Sequence, residues 1–211
     1  MDRTDLTDGE LLERWRSGDA DSGEVLFERY YDMLERFFLN KAGDAISDLV
    51  QETLTRCVKN HDRITDNQFR VYLFGIAYNV LKAHYRDRYR RGEVSDTGEL
   101  SVRDMATGPV TLVVRRREHR MLPEALRAIP VDDQVIVELH YWESMTTDEI
   151  AAVLDIPLGT ARGRLQRARQ KLAEVMHQLM ESPHDLTTTV ACLEDWARDC
   201  RAHLDSYRSG D

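Results

Sequence analysis

Five cations stand within ten residues of one another, Arg162, Arg164, Arg167, Arg169 and Lys171. Guanidinium groups at that density suit DNA, where they reach both phosphates and guanine edges in the major groove. Between them Ala161, Leu165, Ala168 and Leu172 recur at helical spacing. That spacing predicts a helix from near Thr160 with small and apolar residues inward and all five cations outward. Thr160 opens this face, and Gly163 lets backbone approach closely there. Just upstream, Thr146 with Glu149 three residues on is a capping box, in which each side chain satisfies an orphan amide at a helix start. Ile150, Val153 and Leu154 give that first helix one apolar side, and Asp155, Pro157 and Gly159 break the pattern. Residues 143–172 therefore read as a helix-turn-helix.

A second cationic run lies at Arg86, Arg88, Arg90 and Arg91. It ends a helical segment, Phe69 to Arg91, in which Tyr72, Phe74, Tyr78 and Tyr85 are interleaved with Arg70, Asn79, Lys82, His84, Arg86 and Arg88. Aromatics so placed can wedge against nucleic-acid bases, while the cations hold the backbone. Phe69, Leu73, Phe74, Ile76, Ala77 and Val80 are expected in the core. Asn79, Lys82, Arg86 and Arg88 continue past the apolar face and are expected to touch DNA.

The elements that must hold these groups are helical almost throughout. Leu26, Tyr30, Met33, Leu34, Phe37 and Phe38 predict a helix over 23–39, and Leu49, Val50, Leu54 and Val58 continue the pattern. No run of alternating β-branched residues appears, so the fold class is all-α. Residues from 92 onward are rich in Gly, Ser, Thr and acids and read as a flexible connector. The expected division is a first helical domain over 1–91, a linker over 92–117, the helix-turn-helix domain over 118–178 and a helical extension over 179–211. In that extension Val190, Leu193, Trp196, Ala197, Cys200 and Leu204 form an apolar stripe behind a cap at Asp185 or Thr187.

Composition narrows the function classes. The chain has 211 residues, is 42% hydrophobic and carries a net charge of -9. The acids dominate the connector and tail, so two local basic patches remain compatible with DNA contact. No apolar run reaches membrane-spanning length and the N-terminus lacks a signal peptide's hydrophobic core, so no membrane insertion and a cytoplasmic location are expected. Cys57, Cys192 and Cys200 match neither a disulfide framework nor a zinc spacing and read as free thiols in packing roles. His184, Cys192, Cys200 and His203 are spaced too widely for a zinc site. No Gly-rich phosphate loop, nucleophile elbow or paired Glu-x-x-His motif is present, so no enzyme activity, metal or cofactor is expected.

The stretch LPEALRAIPVDDQVIVELHYWESMTTDEIAAVLDIPLGTARGRLQRARQKL resembles the C-terminal promoter-reading region of bacterial sigma factors of the extracytoplasmic-function (ECF) type. DLVQETLTRCVKN and FRVYLFGIAYNVLKAHYRDRYRR resemble the family's second domain, in the family's order. The resemblance runs from about Leu11 to Met176. It implies a transcription initiation factor that joins core RNA polymerase at the largest-subunit clamp helices and the flap, and contacts promoter DNA at two elements. It further implies that the loop around Asn60, His61, Asp62, Arg63, Thr65, Asp66 and Asn67 captures an unstacked base of the melted element. The alternative class is a stand-alone helix-turn-helix regulator, which leaves the helix at 69–91 without a role.

The chain departs from the family at the polymerase-binding helix, where members commonly carry Asp-Ala-Glu-Asp before Leu-Val-Gln-Glu. Here Ala45, Ile46, Ser47 and Asp48 stand in those places. Asp48, Gln51 and Glu52 remain as the expected polymerase contacts. Phosphate on Ser47, Thr53 or Thr55 would restore the missing negative charge, which makes a Ser/Thr kinase one expected regulator. An anti-sigma factor and the C-terminal extension are the others.

Overall fold

The structure is a computed structural model that describes residues 3–64, 68–92 and 117–179, without the side chains of Arg63 and 117–122. The connector, the C-terminal extension with Cys192 and Cys200, and Thr65, Asp66 and Asn67 of the capture loop lie outside these residues. The described residues form helices and turns, with no strand. The chain divides into two compact units, the first Met1–Val94 with Ala152–Asp155 and the second Ser95–Ala151 with Ile156–Asp211.

The first unit contains α1 (Asp8–Arg16), α2 (Ala20–Leu39), α3 (Ile46–Asn60) and α4 (Phe69–Arg90). Consecutive helices pack in pairs, α1 on α2, α2 on α3 and α3 on α4. Leu11, Leu12, Leu26, Leu34, Phe38, Leu73, Phe74 and Leu81 are buried between them. Each contributes about 1.5–3 kcal/mol relative to exposure, more than a surface ion pair does, so the apolar faces fix the pairing. The start of α1 is set by a capping box: the Thr7 amide donates to Glu10 Oε2 at 2.8 Å and the Glu10 amide to Thr7 Oγ1 at 3.4 Å. These hydrogen bonds with Thr7 hold the Glu10 carboxyl below its ordinary value. Asp8 ties α1 to α2 by accepting from Arg29 and the Tyr30 hydroxyl.

The buried face of α3 differs from expectation. Leu49, Val50, Thr53 and Cys57 are inside, whereas Val58 is 46% exposed. Thr53 can be buried because its hydroxyl donates to the Leu49 carbonyl at 2.7 Å, which satisfies it within the helix. Burial pushes the Cys57 thiol up to about 12, so it stays protonated and packs as a small apolar group.

The second unit contains α5 (Arg117–Ala128), α6 (Val131–Tyr141) and α8 (Leu158–Leu179), the last preceded in sequence by α7 (Thr147–Leu154). Both α5 and α6 pack on α8. Helix α6 is buried almost all round, including Val135, Ile136, Val137 and Leu139. Its buried Gln134 donates to the Ile129 carbonyl at 3.0 Å. The predicted capping box starts α7: the Thr146 amide reaches Glu149 Oε2 at 2.7 Å and the Glu149 amide Thr146 Oγ1 at 3.3 Å. The break after α7 falls at Asp155, in the left-handed region at φ 53°. The Ile156 amide there returns to the Ala151 carbonyl at 3.1 Å. Helix α8 begins at Leu158, two residues before the expected Thr160, so Gly159 lies in its first turn and does not break it. No described helix is long and apolar enough to cross a membrane.

Candidate nucleic-acid interface

The inward face of α8 is the one read from spacing: Ala161, Leu165, Ala168 and Leu172 are buried. The outward face is not. Arg162 and Arg167 are exposed as expected, with Thr160 beside them. Arg164 instead turns toward α6 and places Nη1 3.5 Å from Asp132 Oδ2. Lys171 Nζ lies 2.9 Å from Asp133 Oδ2, and the Arg169 guanidinium sits 5.6 Å from the centre of the Tyr141 ring. Three of the five cations thus flank the buried stripe and bind α6. At about 100° per residue positions 164, 169 and 171 fall beside the apolar face, within reach of α6. The acids of the α6 first turn complete the pairs.

Opposite the buried stripe lie Gly159, Gly163, Gln166 and Gln170. Both glutamines are exposed. Attention to charge alone passes them over, although their places on the helical wheel identify them. Gly163 lies on the expected face.

On α4 most of the aromatic groups are core, with Tyr72 half-buried. Phe74, Tyr78 and Tyr85 are buried, so Tyr78 is no base wedge. The Tyr85 hydroxyl donates to the Lys41 carbonyl at 2.7 Å, and Lys82 Nζ rides 5.0 Å from the centre of the Tyr78 ring. Arg70 also departs from expectation: its Nε and Nη2 are out of solvent and its charge acts on Tyr30. What α4 presents outward is Asn79, Lys82 and Arg86, all exposed, with Arg88 half-buried. Tyr89, three residues beyond Arg86, is 48% exposed and continues this line. An exposed aromatic ring at the end of a cationic ridge can stack on an unpaired base.

The turn after α3 is braced from α1. The His61 ring stacks on Trp15 with centroids 4.4 Å apart and planes at 20°. Its Nδ1 lies 2.7 Å from the Val58 carbonyl and its Nε2 3.3 Å from Asp62. With Nδ1 and one ring face engaged, His61 is a brace more than a free base-binding group. Trp15 in turn rests on Gly23, where an added Cβ would come 2.7 Å from the indole. Asn60 is also used locally, donating to the Arg56 carbonyl at 2.9 Å.

The exposed side of α3 brings Ser47, Asp48, Gln51, Glu52 and Thr55 together. The Glu52 carboxylate is shared with Arg56, whose Nε lies 2.7 Å away. Thr53 is buried on the opposite side and is removed from the candidate phosphorylation sites, because no kinase reaches it in the folded chain.

A family model described as Sigma-70 region 2 matches residues 26–91, and one described as Sigma-70, region 4 matches residues 119–172. Helix α1, with Trp15, precedes both. The ECF RNA polymerase sigma-E factor of Salmonella typhimurium is 29% identical over 188 residues, spanning 83% of this chain and 97% of the relative. That of Escherichia coli K12 has the same identity and coverage, and that of Haemophilus influenzae is 26% identical over 187 residues, covering 83% of this chain and 98% of its own. The fold is similar to CnrH, solved in complex with the cytosolic domain of CnrY, at a TM-score of 0.61 and 22% identity over 83% of this chain and 99% of that one. It is also similar to the sigma factor RpoE, solved with the anti-sigma factor NepR from Bartonella quintana, at a TM-score of 0.58 and 21% identity over 72% and 95% of the two chains. With both sigma regions present in order and ECF relatives spanning most of its length, the chain belongs to the sigma-70 family of transcription initiation factors, in the ECF type.

Proposed function

We propose that the chain joins core RNA polymerase through the exposed side of α3 and the second unit, places α8 in the upstream promoter element, and uses α4 to hold the melted strand. The observation that carries this is the pair of exposed cationic faces, Asn79-Lys82-Arg86 on α4 and Arg162-Arg167 on α8, one in each matched sigma region. A stand-alone helix-turn-helix regulator would use only the second. In this reading Asp48, Gln51 and Glu52 meet the clamp helices of the largest subunit, and the second unit meets the flap. The domain limits proposed are 1–91 and 118–178, with linker and extension between and after them.

Control is proposed at two points. An anti-sigma factor is one partner, a reading supported by the Bartonella quintana sigma factor of similar fold, which was solved with one. The other is Ser/Thr phosphorylation at Ser47 or Thr55, which are exposed beside Asp48 and Glu52. A phosphate there adds about -1.5 to -2 charges where Arg56 has already offset Glu52.

Pull-down of core polymerase with the purified chain, followed by run-off transcription from the reconstituted holoenzyme, tests the function. Binding with promoter-specific transcripts is expected; failure to bind core polymerase returns the chain to the regulator class. For the phosphorylation site, Ser47→Glu with Ala45→Asp is expected to tighten core binding. Equal affinity of parent and variant, with no phosphate on native protein by mass spectrometry, removes that control.

A further inference from the structure

We infer that Gln166 reads a base directly in the upstream promoter element, presenting its side-chain amide to the N7 and N6 edge of an adenine, while Arg162 and Arg167 hold phosphates on either side. This rests on the promoter reading of α8 and adds which residue carries sequence information.

The cations nearest to hand are already committed. Arg164 and Lys171 are paired with Asp132 and Asp133, and Arg169 lies on Tyr141. What faces away from α6 is a line of Gly159, Gly163, Gln166 and Gln170, with Arg162 and Arg167 about 70° to either side at 3.6 residues per turn.

The glycines on this line have no internal reason to be glycine. Neither has a positive φ. A Cβ at Gly159 would meet nothing within 4 Å, and one at Gly163 would meet only Arg167 Nη1 at 3.4 Å, an ordinary contact with the tip of a flexible chain. Glycine inside a helix costs stability relative to alanine. A helix that carries two of them on its solvent side, four residues apart, is built for close approach of its backbone to something outside the chain.

Gln166 is the first side chain on that line beyond the glycines. Once the backbone is close to the groove floor, its amide supplies a donor and an acceptor side by side. That is the pattern complementary to adenine, whereas arginine at the same place would select guanine and glutamate cytosine. Arg162 and Arg167, off the centre line, are placed for the two sugar-phosphate walls, where contacts position the helix without selecting sequence.

The test uses the full chain assembled with core RNA polymerase and a promoter library randomised across the upstream element, with bound DNA sequenced. Gln166 is exposed, so its variants are expected to fold as the parent does. The parent is expected to select adenine at one base pair. Gln166→Ala is expected to reduce that preference about tenfold with other positions unchanged, and Gln166→Glu to transfer it to cytosine. Gly159→Ala is expected to weaken promoter binding without lowering thermal stability. If Gln166→Ala leaves the profile unchanged while Arg162→Ala and Arg167→Ala depress binding across the whole library, base reading by Gln166 is overturned and the promoter role of α8 stands. If the arginine variants also bind as the parent does, α8 does not meet DNA and both readings fall. Loss of preference for a base other than adenine overturns the amide-to-adenine assignment.

Discussion

Helices α4 and α8 look alike in sequence, each a 22-residue helix with arginines and lysines threaded through apolar positions, yet they distribute their charge in opposite ways. In α4 Phe74, Tyr78 and Tyr85 go inward and the cations Lys82 and Arg86 go out, with Tyr85 bonded to the Lys41 backbone beyond α2. In α8 three of five cations turn back on acids and an aromatic ring of α6, and the outward line is glycine and glutamine. The difference teaches that a count of cations measures a helix's DNA-facing charge only after its neighbours have taken their share. An acidic first turn on an adjacent helix, here Asp132 and Asp133, is enough to remove two.

The largest effect that separates the two helices belongs to the rings of α4. Tyr78→Ala and Tyr85→Ala are expected to destabilise the first unit by about 3–5 kcal/mol each, as truncation of buried aromatics does. Tyr85→Phe, which loses only the bond to the Lys41 carbonyl, is expected to cost about 1 kcal/mol. Urea unfolding measures both. Unchanged stability with defective melting would restore these rings as base wedges and make the inward assignment wrong.

Next in size is the outward face of the same helix. Asn79→Ala, Lys82→Ala and Arg86→Ala together are expected to leave stability within about 1 kcal/mol, since exposed substitutions cost little, and to leave core polymerase binding intact. Open-complex formation should fall severalfold, read as permanganate reactivity in the bubble. Loss of polymerase binding in this triple variant would show that the face meets protein. Tyr89→Ala in the same assay reports whether the exposed ring beyond Arg86 adds to strand holding.

Much of this was legible in the chain itself. The buried stripe Ala161, Leu165, Ala168 and Leu172 and the Thr146–Glu149 capping box depend on spacing within one helix, and such spacing is visible without any neighbour. The second capping box, Thr7 with Glu10, had the same signature. What spacing could not show was which polar groups a neighbour would claim. Arg70 turned inward toward Tyr30, His61 stacked on Trp15, and Thr53 satisfied itself on Leu49 and took a buried place while Val58 stayed at the surface. The ECF resemblance directed attention to α3, α4 and α8, but it did not separate Arg162 from Arg164.

That separation gives the third prediction. Arg162→Ala and Arg167→Ala are each expected to weaken promoter binding at all sequences and to reduce the slope of log K against log salt by about one, the signature of one lost phosphate contact. Titration of holoenzyme binding across salt concentrations gives the slope. A slope equal to the parent's in both variants would remove the phosphate assignment.

The smallest effect is the one that sharpens the contrast most, because it concerns the arginine two residues from Arg162. Arg164 is paired with Asp132 at 3.5 Å, with side chains 29% and 48% exposed. At that exposure the pair contributes about 0–1 kcal/mol after screening. Arg164→Ala is therefore expected to lower stability by less than about 1 kcal/mol and to leave the salt slope of promoter binding unchanged. Asp132→Ala should cost about as much, and the double variant no more than the larger single one, since either change already breaks the pair. A guanidinium released by Asp132→Ala is then free to reach the DNA, so that variant alone is expected to increase the salt slope. If Arg164→Ala instead flattens the slope as Arg162→Ala does, the ion pair with α6 opens when DNA binds, and α8 uses more of its charge than its unbound arrangement presents.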